Sequence, residues 1–478
     1  MTTPKKILFL ASEADPFVKV GGLGDVGGSL PNALLDLNAN LDVRLVIPFH
    51  VAIRMDLFDI HRELVFTIAR DGIEVPVQVF HVELRGLPVY LISGDPFSRA
   101  TKVYDTDAAV DGEKFVFFSM AALELARKLD WRPDIVHAND WHTASALYGV
   151  RMMQQAGDPF WLGVKTLMTV HNLCYMGAGS EAALTAYGLP AVNDPALPWW
   201  GQQTPMPLGL WAADEIVAVS PSYAEEIQTP EYGCGLETFL QSRHERVIGI
   251  VNGIDTVSWD PEKDEALAEP FSRDDLDARA ATKKLLQTQF GLEINDSLPL
   301  LAMVTRMDQQ KGVDIALGAL RLITDLDWQA ILLGSGNPDI EATARRLESD
   351  FPHRVSAVIR YDGKLSRQIY GGADMLLMPS RYEPCGLAQM IAMRYGAVPV
   401  ARATGGLRDT IAEGYSGFLF TDASPGVMAG ALRRAIKTFK KPENWQRIQR
   451  AGMGGDFSWQ VSAQQYAELY QSMLARKE

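Results

Sequence analysis

Short apolar runs, each closing on glycine or a polar group and each followed by a helical pattern, recur along almost the whole chain. Runs of this length read as strands buried on both faces, and their alternation with helices implies βα units around mostly parallel sheets. The first series opens with Ile7-Leu8-Phe9-Leu10-Ala11, then glycines at Gly21, Gly22 and Gly24, and a helix expected from about Asp25. Val43 to Ile47, Ile135 to His137, Leu167 to His171 and Ile216 to Ser220 continue it, with a helix over 115–129. Residues 64–93 alternate and carry few helix signals, so they are expected as a β insertion. The pattern restarts after Asn252-Gly253-Ile254-Asp255. A polar, charged stretch runs to about Asp296. Strands are then expected at Leu300 to Val304, Ala330 to Leu333, Val355 to Ile359, Met375 to Met378 and Val398 to Val400, with a helix over 312–323. With 478 residues, the chain has room for two large domains. The reading is α/β, with doubly wound domains at 1–253 and 254–458 and a hinge near 251–260. An amphipathic helix within 459–478 is expected to pack back on the first domain.

Chemistry in open α/β sheets collects at the carboxyl ends of strands, and five clusters fall there. The first is Lys19-Val20-Gly21-Gly22-Leu23-Gly24-Asp25. Glycines let backbone N–H groups approach an anion, and a helix start adds partial positive charge; a tight strand-to-helix turn explains the same spacing. His137-Ala138-Asn139-Asp140-Trp141-His142 and Thr169-Val170-His171-Asn172 bring amides, carboxylate, imidazole and an aromatic face, a set that suits a sugar. Each histidine also admits a structural reading. His137 with His142 lacks a third metal ligand at ordinary spacing. Arg306 and Lys311 leave a strand end together, which suits a diphosphate or a solvated loop equally. In Ser380-Arg381-Tyr382-Glu383-Pro384-Cys385-Gly386-Leu387, a carboxylate precedes a helix expected from about Gly386. Glu383 there either meets sugar hydroxyls or caps that helix. Thr404-Gly405-Gly406 repeats the strand–glycine–helix arrangement.

The net charge of −14 argues against nucleic acid and anionic membrane, both of which need a basic footprint. Cations converging in so acidic a chain point to a small anion. No apolar run reaches the ~18 residues of a membrane span. Cys174, Cys234 and Cys385 show neither metal-ligand spacing nor a disulfide framework, so free thiols in a reducing cytoplasm are expected.

These clusters, with Val219 to Ala224, Val251-Asn252-Gly253-Ile254-Asp255 and Thr404-Gly405-Gly406-Leu407, occur in one order across residues 5–475. In that order they resemble the bacterial glycogen synthase and plant starch synthase family. The resemblance implies a GT-B fold, two Rossmann-like doubly wound domains facing a central cleft. It also implies a retaining transfer of glucose from ADP-glucose to the non-reducing end of an α-1,4-glucan. UDP-glucose or another acceptor is the rival reading, and a weakly active glucan-binding homologue a further one. Neither metal nor other cofactor is implied. Lys19, His171, Arg306, Lys311 and Glu383 fall at the catalytic positions. Gly21, Gly22, Asp25, Asp140, Trp141, Asn252, Tyr361, Cys385, Gly386, Leu387, Thr404 and Gly405 fall at substrate-binding ones, with Tyr361 where an aromatic stacks on adenine. The chain departs from the family pattern at Met176, Pro207 and Ala388, which bears on acceptor preference. Ile391 stands where related retaining transferases carry a second Glu. The location implied is cytoplasmic, or a plastid-like compartment in a plant. Oligomeric state is not legible.

Overall fold

A computed structural model describes residues 3–37 and 40–476. The outermost residues of the expected domain ranges, 1, 2, 477 and 478, lie outside it. The backbone divides into two compact units, one of residues 1–253 with 459–478, the other Ile254–Ser458.

The first unit carries β1 (Lys5–Leu10), β2 (Leu41–Pro48), β3 (His61–Arg70), β4 (Ile73–Leu84), β5 (Leu87–Ser93), β6 (Ile135–Asn139), β7 (Lys165–Val170), β8 (Glu215–Ala218) and β9 (Val247–Gly249). They form one nine-stranded sheet in the order β3-β4-β5-β2-β1-β6-β7-β8-β9. Only the β3/β4 and β4/β5 pairs are antiparallel. The expected β insertion therefore needs correcting. β5 pairs parallel to β2 and belongs to the main sheet, while β3 and β4 extend its edge. Ile7 and Phe9 of β1 pack with Val26, Leu30 and Leu34 of helix Gly22–Asp36 and with Tyr466 and Tyr470 of helix Trp459–Ala475.

The second unit carries β10 (Leu300–Val304), β11 (Gln329–Gly334), β12 (Val355–Ile359), β13 (Met375–Met378), β14 (Val398–Arg402) and β15 (Phe418–Phe420). This sheet is parallel throughout, in the order β12-β11-β10-β13-β14-β15. Successive side chains of a strand point to opposite faces. Leu301, Met303, Ala330 and Leu332 enter one apolar cluster, while Leu300, Ala302, Ile331 and Leu333 enter another. Both faces are covered, which is why the runs read as continuously apolar.

In each sheet the strand order reverses once beside the first strand, between β1 and β6 and between β10 and β13. Ligand sites of open α/β sheets form outside the carboxyl ends at such a point. Among the described residues no helix is long and apolar enough to cross a membrane.

Candidate active site

In the first unit the loops leaving β1, β6 and β7 carry the polar groups. Asp140 follows β6 at φ 57°, a left-handed conformation that a non-glycine residue adopts at a cost. Its buried carboxylate accepts from the backbone N–H of His171 (2.7 Å) and of Asn172 (3.2 Å), which fixes the loop after β7. Burial drives the Asp140 pKa up to about 7, against the lowering effect of those two N–H groups. Asn139 Nδ2 donates to Leu10 O (3.0 Å), so its Oδ1 faces His171 Nε2 at 3.0 Å. Nε2 must then carry the proton, which leaves Nδ1 an acceptor. Burial lowers the His171 pKa to about 3, so the ring is neutral at neutral pH.

The glycine loop is arranged around a residue that the sequence did not single out. The Glu13 carboxylate accepts from the N–H groups of Val20 and of Gly21 (3.2 Å for the latter) and from the Tyr104 hydroxyl (3.0 Å). Burial raises the Glu13 pKa. Part of the N–H array expected to face an anion is thus occupied by the chain's own carboxylate. Lys19 Nζ lies 2.5 Å from Asp25 Oδ1 in the first turn of helix Gly22–Asp36, and Gly21 and Gly22 are exposed beside it. That helix starts at Gly22 rather than near Asp25.

Trp141 packs against His142 with ring centroids 4.3 Å apart and the planes tilted by 32°, and meets Phe115 edge-on. His137 is structural. Its Nδ1 lies 2.8 Å from Tyr470 Oη and its Nε2 2.7 Å from Thr169 Oγ1, all in the core. Asn252 lies beyond β9, with Oδ1 buried and no partner for it among the described residues.

In the second unit Lys311 and Glu383 lie on either side of the switch point, after β10 and β13. Lys311 Nζ donates to Glu383 Oε1 (2.8 Å) and Oε2 (2.7 Å), and the Ser380 hydroxyl donates to Oε2 (2.9 Å). Glu383 is 4% exposed. Its carboxylate is committed to these partners, so the helix-cap reading fails. That helix is Ala388–Arg394, capped by Leu387 without a side-chain bond. It starts later than expected because Gly386 sits at φ 73°, outside the helical region. Gln389 Nε2 bonds the carbonyls of Cys385 (3.0 Å) and Gly386 (2.7 Å).

Arg306 is 65% exposed and lies 3.3 Å from Asp308. Tyr361, just past β12, is 92% exposed. Thr404 is buried and precedes helix Gly405–Thr410, where Gly406 N–H donates to Glu383 O (3.1 Å). Thus Lys311, Glu383, Cys385, Gly386, Thr404 and Gly405 lie in one neighbourhood, in which Lys311 is bonded to Glu383 and Gly405 closely approaches Glu383 O. Arg306 reaches it through Gln310, whose Oε1 accepts from Arg306 at 3.5 Å and whose Nε2 donates to Tyr382 O at 3.4 Å, while Tyr361 only stands at the same edge of the sheet.

One expectation is corrected outright. Cys174 and Cys234 form a disulfide, and Cys385 is outside any disulfide and buried. The loop after β7 and the turn at Tyr232–Gly235 bring their Cα atoms to 5.8 Å, within bridging reach, a proximity that no spacing rule shows. Elsewhere in the first unit a surface hollow of about 780 Å³ is lined by Arg151, Trp211, Arg243 and Arg246 among others. It holds none of the residues above. Arg151 is paired with Asp214 and Arg243 with three backbone carbonyls.

Residues 6–242 match the family model described as starch synthase catalytic domain, and residues 287–451 the one described as glycosyl transferases group 1. A glycogen synthase of Syntrophotalea carbinolica is 39% identical, over 98% of this chain and 99% of that protein. One from Geotalea daltonii is 38% identical over 99% of each. The chain belongs to the glycogen and starch synthase family. Its fold also matches the catalytic domain of starch synthase IV from Arabidopsis thaliana, solved bound to ADP and acarbose. There the TM-score is 0.89, at 34% identity over 99% of this chain and 100% of that one. A sucrose-phosphate synthase from Thermosynechococcus elongatus, 18% identical with a TM-score of 0.62, shares the fold. The protein is a retaining glycosyltransferase of the GT-B fold, as the motif order implied.

Proposed function

We propose that the protein transfers glucose from ADP-glucose to the non-reducing end of an α-1,4-glucan, keeping the α configuration. The observation that carries this reading is the Lys311–Glu383–Ser380 cluster at the switch point of the second unit. An ammonium group is held there by a buried carboxylate, with the exposed guanidinium of Arg306 leaving the neighbouring strand. The family relatives are glycogen synthases, and the starch synthase IV structure holds ADP and acarbose, an arrangement consistent with a nucleotide-sugar donor and a glucan acceptor.

In the proposed reaction the donor C1–O bond breaks and its electron pair leaves with the nucleoside diphosphate. Arg306 and Lys311 stabilise the charge growing on that group, an interaction stronger in the transition state than in the ground state. Glu383 holds Lys311 in place and offsets positive charge developing at C1. The acceptor hydroxyl attacks from the face the diphosphate vacates, and its proton passes to a departing phosphate oxygen. His171 Nδ1 accepts a sugar hydroxyl, Asp140 fixes the loop that presents it, Trp141 lines the sugar side and Tyr361 stacks on the base. With two cations assigned to the diphosphate, the proposed step runs without a metal.

Incubation with glycogen and either ADP-glucose or UDP-glucose tests the reading. A higher kcat/KM with ADP-glucose is expected, with label in the product released by β-amylase. A clear preference for UDP-glucose, or label that β-amylase leaves in place, would replace this donor or this linkage.

A further inference from the structure

The first unit carries a second cluster of chemically able side chains that the transfer reaction does not use. β3 is the edge strand of the nine-stranded sheet, and His61 on it is in register with His81 on β4. The two imidazole centroids are 5.3 Å apart. The pairing then slips. Arg62 pairs with Phe80 and Leu64 with Val79, so Glu63 is the extra residue of a β-bulge. Bulges bend an edge strand and re-aim a side chain. Here Glu63 Oε2 comes within 3.7 Å of His61 Nε2. One donor atom from each of His61, Glu63 and His81 lies within 4.8 Å of the others.

Among the described residues, none supplies a hydrogen bond to any of these three side chains. The remaining contact of His81 is with the Tyr90 ring, 5.0 Å away on β5. Glu63 and Glu83 set negative charge against His81, and Arg44 sets positive charge.

We propose that His61, Glu63 and His81 bind a divalent transition cation, with Zn²⁺ as the reference ion. Two imidazole nitrogens and one carboxylate oxygen form a set that suits zinc and its neighbours and disfavours Mg²⁺ or Ca²⁺, which take oxygen shells. Four-coordinate zinc at ~2.0–2.1 Å from its ligands sets neighbouring donors about 3.3 Å apart. The His61–Glu63 pair is already close to that. His81 needs to close by no more than roughly 1.5 Å on the same geometry, and His61 and Glu63 project into solvent and turn freely. Three protein ligands leave a fourth position for water. The bound ion ties the bulged edge strand to its neighbour, so its consequence is stability of the β3–β4 hairpin rather than turnover.

Full-length protein stripped with chelator and titrated with zinc sulfate by calorimetry tests this. One equivalent is expected to bind at micromolar concentration and to raise the melting temperature. His61→Ala and His81→Ala should each weaken binding at least tenfold and abolish the thermal shift. Glu63→Gln should weaken it less, and His244→Ala and His353→Ala, which remove the other exposed imidazoles, not at all. Transferase activity should be equal in all five variants, which also reports folding. Should His81→Ala fail to fold, the exposed His61→Ala decides alone. No saturable equivalent in the wild type, or binding that survives His61→Ala, overturns the site.

Discussion

Glu383 and Lys311 are 72 positions apart in sequence, yet both carboxylate oxygens of one meet the ammonium of the other. The pair tests the charge argument directly. Glu383→Gln keeps the shape and removes the charge, so Lys311 retains one acceptor and loses its ionic partner. Loss of one pre-organised electrostatic group costs on the order of 10²–10³ in kcat. A part-buried ammonium left without its carboxylate costs up to ~3 kcal/mol of stability. The expected result is a variant that melts somewhat earlier and turns over at most about a hundredth as fast, even well below its melting temperature. Turnover near normal at low temperature would remove Glu383 from the mechanism. Arg306, exposed to solvent, separates the two effects. Arg306→Ala should leave stability within ~0.5 kcal/mol and still lose transfer. The types and strand-end positions of these residues are legible in sequence. Their partners are not, because the pairing depends on β10 lying beside β13. For the same reason Glu13 and Tyr104 gave no signal, and Asn139 showed as a strand-end amide without its bond to His171. Glu13 matters through its bonds to Val20 and Gly21, which the motifs did name, and Tyr104 through its bond to Glu13.

At the scale of elements, the loop bearing Glu383 rests on the start of helix Gly405–Thr410. Gly405 sits at φ 43°, and a Cβ there would lie 2.1 Å from Glu383 O; at Gly406 one would lie 2.1 Å from Cys385 O. Backbone cannot yield to that as a flexible side chain does. Gly405→Ala should therefore displace the 383–385 loop, lower the melting temperature and reduce kcat at least tenfold. Gly426→Ala, in helix Pro425–Phe439 where an added methyl meets nothing within 4 Å, is the control and should change neither. Equal behaviour of the two variants would show that the close approach is relaxed in solution. Elements announced by apolar runs, such as β10 and β13, were readable because both faces of a parallel sheet demand them. Helix Arg279–Gln289 was hidden in the polar stretch because Arg279, Thr282, Lys283 and Gln287 share its buried side with Leu286. Arg279 donates to Ala373 O and Tyr395 O, and Lys283 is paired with Asp374. Paired charges stand where periodicity rules look for leucines. β15, with three residues, is too short for any pattern.

The whole molecule divides unevenly in its titrating groups. His50, His137, His142 and His171 are all in the first unit, and burial lowers each pKa, to about 4 for His50 and about 3 for His137 and His171. The second unit has only His353, on the surface. A lowered imidazole pKa contributes stability that is present above the ordinary value of 6.5 and lost as pH falls toward the folded value, because the unfolded chain binds the proton first. Carboxyl groups pushed upward act in the opposite sense. Glu13, Asp140 and Glu215, also of the first unit, are raised by burial and favour the folded state as pH falls, Asp140 from about 7. Near pH 5, unfolding the first unit takes up about four protons on imidazoles and releases at most about three from carboxyls. The net is an uptake of at least roughly one proton, or about 1.4 kcal/mol of stability lost per pH unit. In the second unit the depressed carboxyls, Asp264, Asp314 and Asp362 among them, hold their stability until pH falls below their ordinary value of 3.8. Calorimetry between pH 7 and 5 should therefore show the melting of the first unit move down by several degrees while that of the second stays. Proteolysis at the lower pH should release peptides of 3–253 before those of 254–458. A stability that holds constant from pH 7 to 5, or fragments of the second unit appearing first, would contradict the assignment of the neutral buried imidazoles, His171 among them.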